Sequence, residues 1–259
     1  MADERKVRLP AVFVGHGSPM NTIEHNRFTV AWHDLARSLP VPRAVVAVSA
    51  HWYTRGTAVT AVERPRTIHD FTGFPDELYR VEYPAPGSPE IAERVATLLA
   101  PTPVARDLTW GLDHGTWSVL VHMYPDADVP VVQLSIDATL DTASHIELGR
   151  RLAPLRDENV LIVGSGNVVH NLGMIDWSRP DDAFGWADDF DRATRDVMDS
   201  DPDGLARLES HPSFGAAVPT PEHWLPLAYV AGASLGHGAD VVVGGGVYGS
   251  LTMTTFVTR

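Results

Sequence analysis

Val45-Val46-Ala47-Val48-Ser49-Ala50-His51-Trp52 runs a small-apolar and β-branched stretch straight into a histidine. A continuous run of this kind suits a strand covered on both faces, as in a parallel sheet packed between helices. Ligands in open α/β sheets collect just beyond the carboxyl ends of the strands, which is where His51 falls. The same grammar recurs twice. Ala11-Val12-Phe13-Val14 leads into Gly15-His16-Gly17-Ser18-Pro19, and Val160-Leu161-Ile162-Val163 leads through Gly164-Ser165-Gly166-Asn167-Val168-Val169 to His170. If the three strands are parallel neighbours, their histidines converge on one crevice. One such histidine alone is most simply a hydrogen-bonded turn residue. Three at equivalent topological positions favour a metal site, because imidazole is the commonest protein metal ligand.

Composition bounds the alternatives. At 259 residues the chain is read as one domain, 1–259, of α/β class, with a central largely parallel or mixed sheet flanked by helices. Its 20 basic and 33 acidic residues give a net charge of -13, which argues against nucleic acid or an anionic membrane as partner. The charged segment Met1 to Pro10 has no apolar core of a signal peptide, and no run is long enough to span a bilayer, so a cytoplasmic location is expected. The chain has no cysteine, so any metal must be held by nitrogen and oxygen.

In chain order, Thr29 to Leu39 has helical spacing, and the long aromatic segment from Thr67 to Pro89 is expected to wall a pocket. Ser88-Pro89 opens a helix as N-cap and first residue. Trp117 to Tyr124 reads as a helix with His114 just ahead of it. Val129 to Ile136 reads as a strand, and Ile146 to Leu155 as the helix returning to the Val160 strand. Asp176 to Gly204 is acidic and partly helical. Thr220-Pro221 is read as the cap and start of a helix carrying His223 in its first turn, beside Glu222. Val241 to Val243, a turn at Gly244-Gly245-Gly246, and Leu251 to Val257 are expected to form a C-terminal hairpin at the sheet edge. Gly164-Ser165-Gly166 opens like a dinucleotide fingerprint but has Val169 where the third glycine belongs, so a Rossmann cofactor is rejected. Ser18 lacks the strained elbow of a hydrolase nucleophile.

Taken together, the blocks Gly15-His16-Gly17-Ser18-Pro19-Met20, Ser49-Ala50-His51-Trp52, Thr67-Ile68-His69-Asp70-Phe71, Tyr83-Pro84-Ala85-Pro86-Gly87, Asp113-His114-Gly115-Thr116-Trp117 and Gly166-Asn167-Val168-Val169-His170-Asn171 resemble the DODA-type extradiol aromatic ring-opening dioxygenases, the DOPA-dioxygenase-like branch of the class III extradiol superfamily. The resemblance implies a non-haem Fe(II) enzyme that opens a catechol ring with O₂ to a semialdehyde, with Zn(II) able to occupy the site in isolated protein. It implies His16, His51 and His223 as metal ligands, with Glu222 the fallback for the third, since many class III members use a glutamate there. It makes His170 the acid/base, a residue that also approaches the metal in zinc-loaded relatives, and His114 a residue beside the metal shell or the substrate. Ser18, Trp52, Phe71 and Trp117, with Phe74 and Tyr79, are candidates to line the substrate pocket. The expected partners are a small aromatic diol and O₂, and self-association is left open. Two other classes fit the same histidines: a zinc-dependent hydrolase or amidase, and a catalytically silent Memo-like ligand-binding protein.

Overall fold

The computed structural model describes residues 8–259, so most of the charged segment read at residues 1–10 lies outside the described residues. The chain begins with β1 (Ala11–Gly15), α1 (Arg27–Ser38), β2 (Ala44–Thr54) and β3 (Thr57–Thr60), followed by α2 (Pro89–Leu99), β4 (Val104–Asp107), α3 (His114–Met123) and β5 (Val131–Asp137). It continues with α4 (Thr142–Leu152), α5 (Pro154–Asp157), β6 (Val160–Gly166), α6 (Gly185–Ser200), α7 (Phe214–Ala217) and α8 (Leu225–Ala233). It closes with β7 (Ala239–Val243), β8 (Gly246–Val247), β9 (Leu251–Thr252) and β10 (Thr255–Thr258). Eight strands form one sheet in the order β4-β3-β5-β2-β6-β1-β10-β7. β5, β2, β6 and β1 are parallel, whereas β3 meets β5, β10 meets β1 and β7 meets β10 in antiparallel fashion. The three strands that lead to histidines are adjacent, as their shared pattern requires.

Both sheet faces are buried, which explains the unbroken apolar runs. Phe13, Val46, Val48 and Ile162 pack against α2, α4, α6 and α8, and Val12, Val14, Val45, Leu161 and Val163 pack against α1 and α3. Adjacent residues alternate between the two cores, as a pleated strand dictates. Helix starts follow ordinary capping chemistry. The Ser88 hydroxyl accepts from the Ile91 N–H ahead of Pro89, and the Asp113 carboxylate accepts from the Thr116 N–H at the head of α3.

Two local expectations are corrected. Thr220 stands at the N-cap position with Pro221 next, as read, but the element they open is a short 3₁₀ turn, Pro221–His223, ahead of α8, and the Thr220 hydroxyl donates to Glu222 Oε1 at 2.6 Å instead of capping a backbone N–H. The C-terminal hairpin does sit at the sheet edge as β10 against β7, but the link between them carries its own small β8/β9 ladder instead of a simple glycine turn. Glycine flexibility and alternating apolar residues fit either arrangement locally. The choice is made by tertiary contacts, among them the Asn171 N–H donating to the Ser250 carbonyl and Thr252 to that of Val169.

Candidate active site

β1 ends at Gly15, and the next residue, His16, is fixed by its N–H donating to the Gly166 carbonyl at 3.0 Å. β2 follows β6 only as far as Ser49, and its pairing with β5 is interrupted between Val48 and Tyr53. His51 lies inside that interruption, an irregularity of the kind that re-aims a side chain beside an active site. His223 ends the 3₁₀ turn, and its carbonyl accepts from the Asn167 N–H at 2.9 Å, just past β6. Three segments therefore deliver three imidazoles to one point, with ligand atoms of His16, His51 and His223 all within 4.8 Å of one another.

Hydrogen bonding fixes which nitrogen faces that point. Ser165 donates its hydroxyl proton to the Gly115 carbonyl, so toward His16 Nδ1, 2.9 Å away, its oxygen can only accept. His51 Nδ1 lies 3.1 Å from Asp70 Oδ2, and His223 Nδ1 lies 3.4 Å from Glu222 Oε1. A carboxylate accepts and does not donate, so each Nδ1 carries a proton and each Nε2 keeps its lone pair. His16 Nε2 and His51 Nε2 are nevertheless 3.2 Å apart. A proton taken up by the His51 ring, or a cation held by both nitrogens, would relieve the repulsion of two lone pairs at this distance. The donor set, all imidazole nitrogen with oriented Nδ1 partners, suits Fe or Zn.

Electrostatics treat the three donors differently. Burial, reinforced by the neighbouring imidazoles, holds His16 and His223 well below the ordinary histidine pKa, hence neutral. Burial also presses His51 downward, but the Asp70 hydrogen bond and the charges of Asp113, Asp70 and Glu222 carry it above its ordinary value. Asp70 is itself opposed by burial, and its bonds to His114 and His51 win, holding it far below the usual carboxylate range. His114 Nδ1 lies 3.0 Å from Asp70 Oδ1, and burial outweighs that contact to lower its pKa. His170 stacks on His223 with ring centroids 3.5 Å apart and planes 6° from parallel. Burial draws it down to about 4, against the opposing pull of Glu222.

A cavity of about 790 Å³ opens over this cluster, lined by His16, His51, His114, His170 and His223 together with Ser18, Phe71 and Phe74. Trp52 and Trp117, read from sequence as pocket candidates, do not line it. Trp52 follows His51 in the strand and stacks on Trp110 at 5.3 Å, while Trp117 is buried behind Phe71 with its indole N–H donating to the Ile68 carbonyl at 2.8 Å. Tyr79 also stands back from the cavity, against Phe71 at 5.0 Å. Sequence reasoning gave no role to Asp70, although it sits in the quoted Ile68-His69-Asp70-Phe71 block. Nor did it single out Asp113, Gln133 and Ser49. There the Ser49 hydroxyl donates to Asp113 Oδ1 at 2.7 Å and the Gln133 amide donates to the other Asp113 oxygen, a fully buried network under the His51 segment.

The chain matches the family described as the catalytic LigB subunit of aromatic ring-opening dioxygenase over residues 11–254. It belongs to the LigB family. Among its relatives, 4,5-DOPA dioxygenase extradiol of Escherichia coli K12 is 52% identical over 233 residues, covering 87% of this chain and 85% of that protein. 4,5-DOPA dioxygenase extradiol of Beta vulgaris is 40% identical over 232 residues, covering 86% and 85%. The crystal structure of an uncharacterized Escherichia coli K12 protein superposes with a TM-score of 0.85 at 46% identity, covering 97% of this chain and all of that one. This LigB-family chain is an extradiol ring-opening dioxygenase, and its five clustered histidines lie within the matched region. No helix among the described residues is long and apolar enough to cross a membrane.

Proposed function

We propose that the chain is an Fe(II)-dependent dioxygenase that opens the ring of a DOPA-like catechol, with His16, His51 and His223 as the metal ligands, His170 as the acid/base and His114 beside the substrate. The observation that carries this reading is the convergence of ring nitrogens of His16, His51 and His223, within 4.8 Å of one another, on the floor of an apolar-walled cavity. When bound, Fe(II) supplies a redox route to O₂ and acidifies the catechol hydroxyls that chelate it. The chain's own residues do the rest. Phe71 and Phe74 meet edge to face at 5.4 Å and offer apolar surface to an aromatic ring above the cluster. His170, neutral at neutral pH because burial disfavours its charged form, is the group able to accept a catechol proton and return it to the departing oxygen. Holding diol, O₂ and base in one enclosure replaces a multi-body encounter with reaction between oriented partners.

The two carboxylates nearest the cluster are committed to histidines, Asp70 to His51 and His114 and Glu222 to His223, which supports this reading over a zinc hydrolase that requires a free carboxylate base. The test is anaerobic reconstitution with Fe(II), followed by L-DOPA or simpler catechols and then O₂. Oxygen uptake matched one to one by a yellow ring-opened semialdehyde is the expected result. A metal-loaded protein that consumes no oxygen across the catechol panel overturns the proposal.

A further inference from the structure

We propose that Asp70 is a positioning residue whose two carboxylate oxygens fix the ring tautomers of His51 and His114 together, and that it thereby sets the metal affinity of the site. The inference rests on the reading above that His51 is a ligand.

Asp70 belongs to the aromatic loop between β3 and α2, and the loop is anchored on both sides of it. The Ile68 N–H donates to the Leu112 carbonyl and the Leu112 N–H to the Arg66 carbonyl, both at 2.8 Å. The Trp117 indole holds the Ile68 carbonyl from α3. The segment carrying Asp70 is thereby tied to the start of the helix that begins with His114, and its carboxylate has little freedom to turn away.

The geometry is two-pronged. Oδ2 lies 3.1 Å from His51 Nδ1, while Oδ1 lies 3.0 Å from His114 Nδ1 and also accepts the His114 backbone N–H at 2.9 Å. The pull is electrostatic, since His114 Nδ1 is not aligned for a hydrogen bond: a lone pair on either Nδ1 would lie about 3 Å from a negative oxygen, which favours the proton on Nδ1 and the lone pair on Nε2 in both rings. One side chain thus prepares a ligand and its neighbour at once. The same loop continues into Phe71, so ring orientation and the pocket wall belong to one rigid unit.

Asparagine discriminates this role from simple packing. Its amide has one oxygen, and the His114 backbone N–H, which can only donate, requires that oxygen on its side. The NH₂ group is then left facing His51 Nδ1, which must accept, so the His51 proton moves to Nε2 and the lone pair offered to a metal is lost. The substitution therefore injures His51 selectively, although Asp70 touches both rings.

The test uses the full chain with Zn(II) alone as the probe. In Asp70→Asn, the Zn(II) affinity measured against a chelator is expected to fall about 10- to 100-fold, with the thermal midpoint of the metal-free protein little changed. Correlation NMR of the ring nitrogens is expected to find the His51 proton moved from Nδ1 to Nε2 and the His114 proton unmoved. If the asparagine variant does not fold, Asp70→Ala carries the test: both rings lose their fixed Nδ1 proton and affinity falls at least as far. Wild-type affinity with wild-type tautomers in either folded variant overturns the inference. A wild-type chain that binds Zn(II) but, loaded with Fe(II), opens no catechol overturns the functional reading and leaves Asp70 to be decided by the affinity comparison. A wild-type chain that binds no Zn(II) overturns both.

Discussion

At the scale of single residues, the three proposed ligands and the proposed acid/base differ in what lies against their rings. His16, His51 and His223 each have an oxygen at Nδ1, from Ser165, Asp70 and Glu222, whereas His170 lies flat against His223 and faces the cavity. Substitution should separate them. His51→Ala is expected to lose bound metal, whereas His170→Ala is expected to keep it and lose turnover by roughly 10²- to 10⁴-fold, the usual contribution of a positioned acid/base. Metal analysis beside steady-state rates checks this, and equal metal content and activity in the two variants would sink the division of roles. His16, His51 and His170 were legible in the sequence because each is delivered by a buried strand, whereas His114 and His223 were read at helix starts and took their roles from the family resemblance. Asp70 was not legible, because it sits in a loop where no periodicity says which way a side chain turns. Trp52 was read as pocket wall on aromatic character alone. Strand alternation places it opposite His51, a signal the sequence did contain.

At the scale of elements, the close approach of backbones does as much as the side chains. A Cβ added at Gly115 would lie 2.6 Å from Ser49 Oγ and 2.7 Å from His51 Cδ2, and one at Gly166 would collide with the His223 carbonyl. α3 can reach the strand ends, and the His223 turn can rest on β6, only because these positions have no side chain. Gly115→Ala is therefore expected to destabilise the protein by about 1–3 kcal/mol, as overpacking does, and to lower metal occupancy by displacing His51, although no ligand is changed. Denaturant midpoints and metal content measured on the same sample check both effects, and unchanged metal binding would mean that the strand end relaxes freely. The sheet itself was readable from its apolar runs. The 3₁₀ turn at His223 was not, since Thr220-Pro221 carries the same residues as an ordinary helix cap and only the pairing of Thr220 with Glu222 decides against it.

For the molecule as a whole, buried neutral histidines make the fold sensitive to acid. His145, on α4 and outside the cluster, is fully buried with Nδ1 3.1 Å from the Tyr229 hydroxyl, and burial draws it down to about 4. Its folded pKa is below the unfolded one, so its contribution is intact above about pH 6.5 and is lost as the pH falls toward 4, where the unfolded chain takes up a proton that the folded chain refuses. The full loss is on the order of 3 kcal/mol. His145→Gln should flatten the fall in unfolding free energy between pH 7 and pH 4.5 relative to wild type, and parallel profiles would refute the assignment. Domain-scale architecture was accessible from sequence because a sheet buried on both faces leaves continuous apolar runs. The antiparallel edges were less so, because their partners are set by contacts between distant segments. The three imidazoles that meet at one point come from positions 16, 51 and 223. On the proposed ligand set, a nascent chain emerging from the ribosome lacks its third ligand until position 223 has been synthesised, so metal capture would wait for a sheet whose parallel strands are already made.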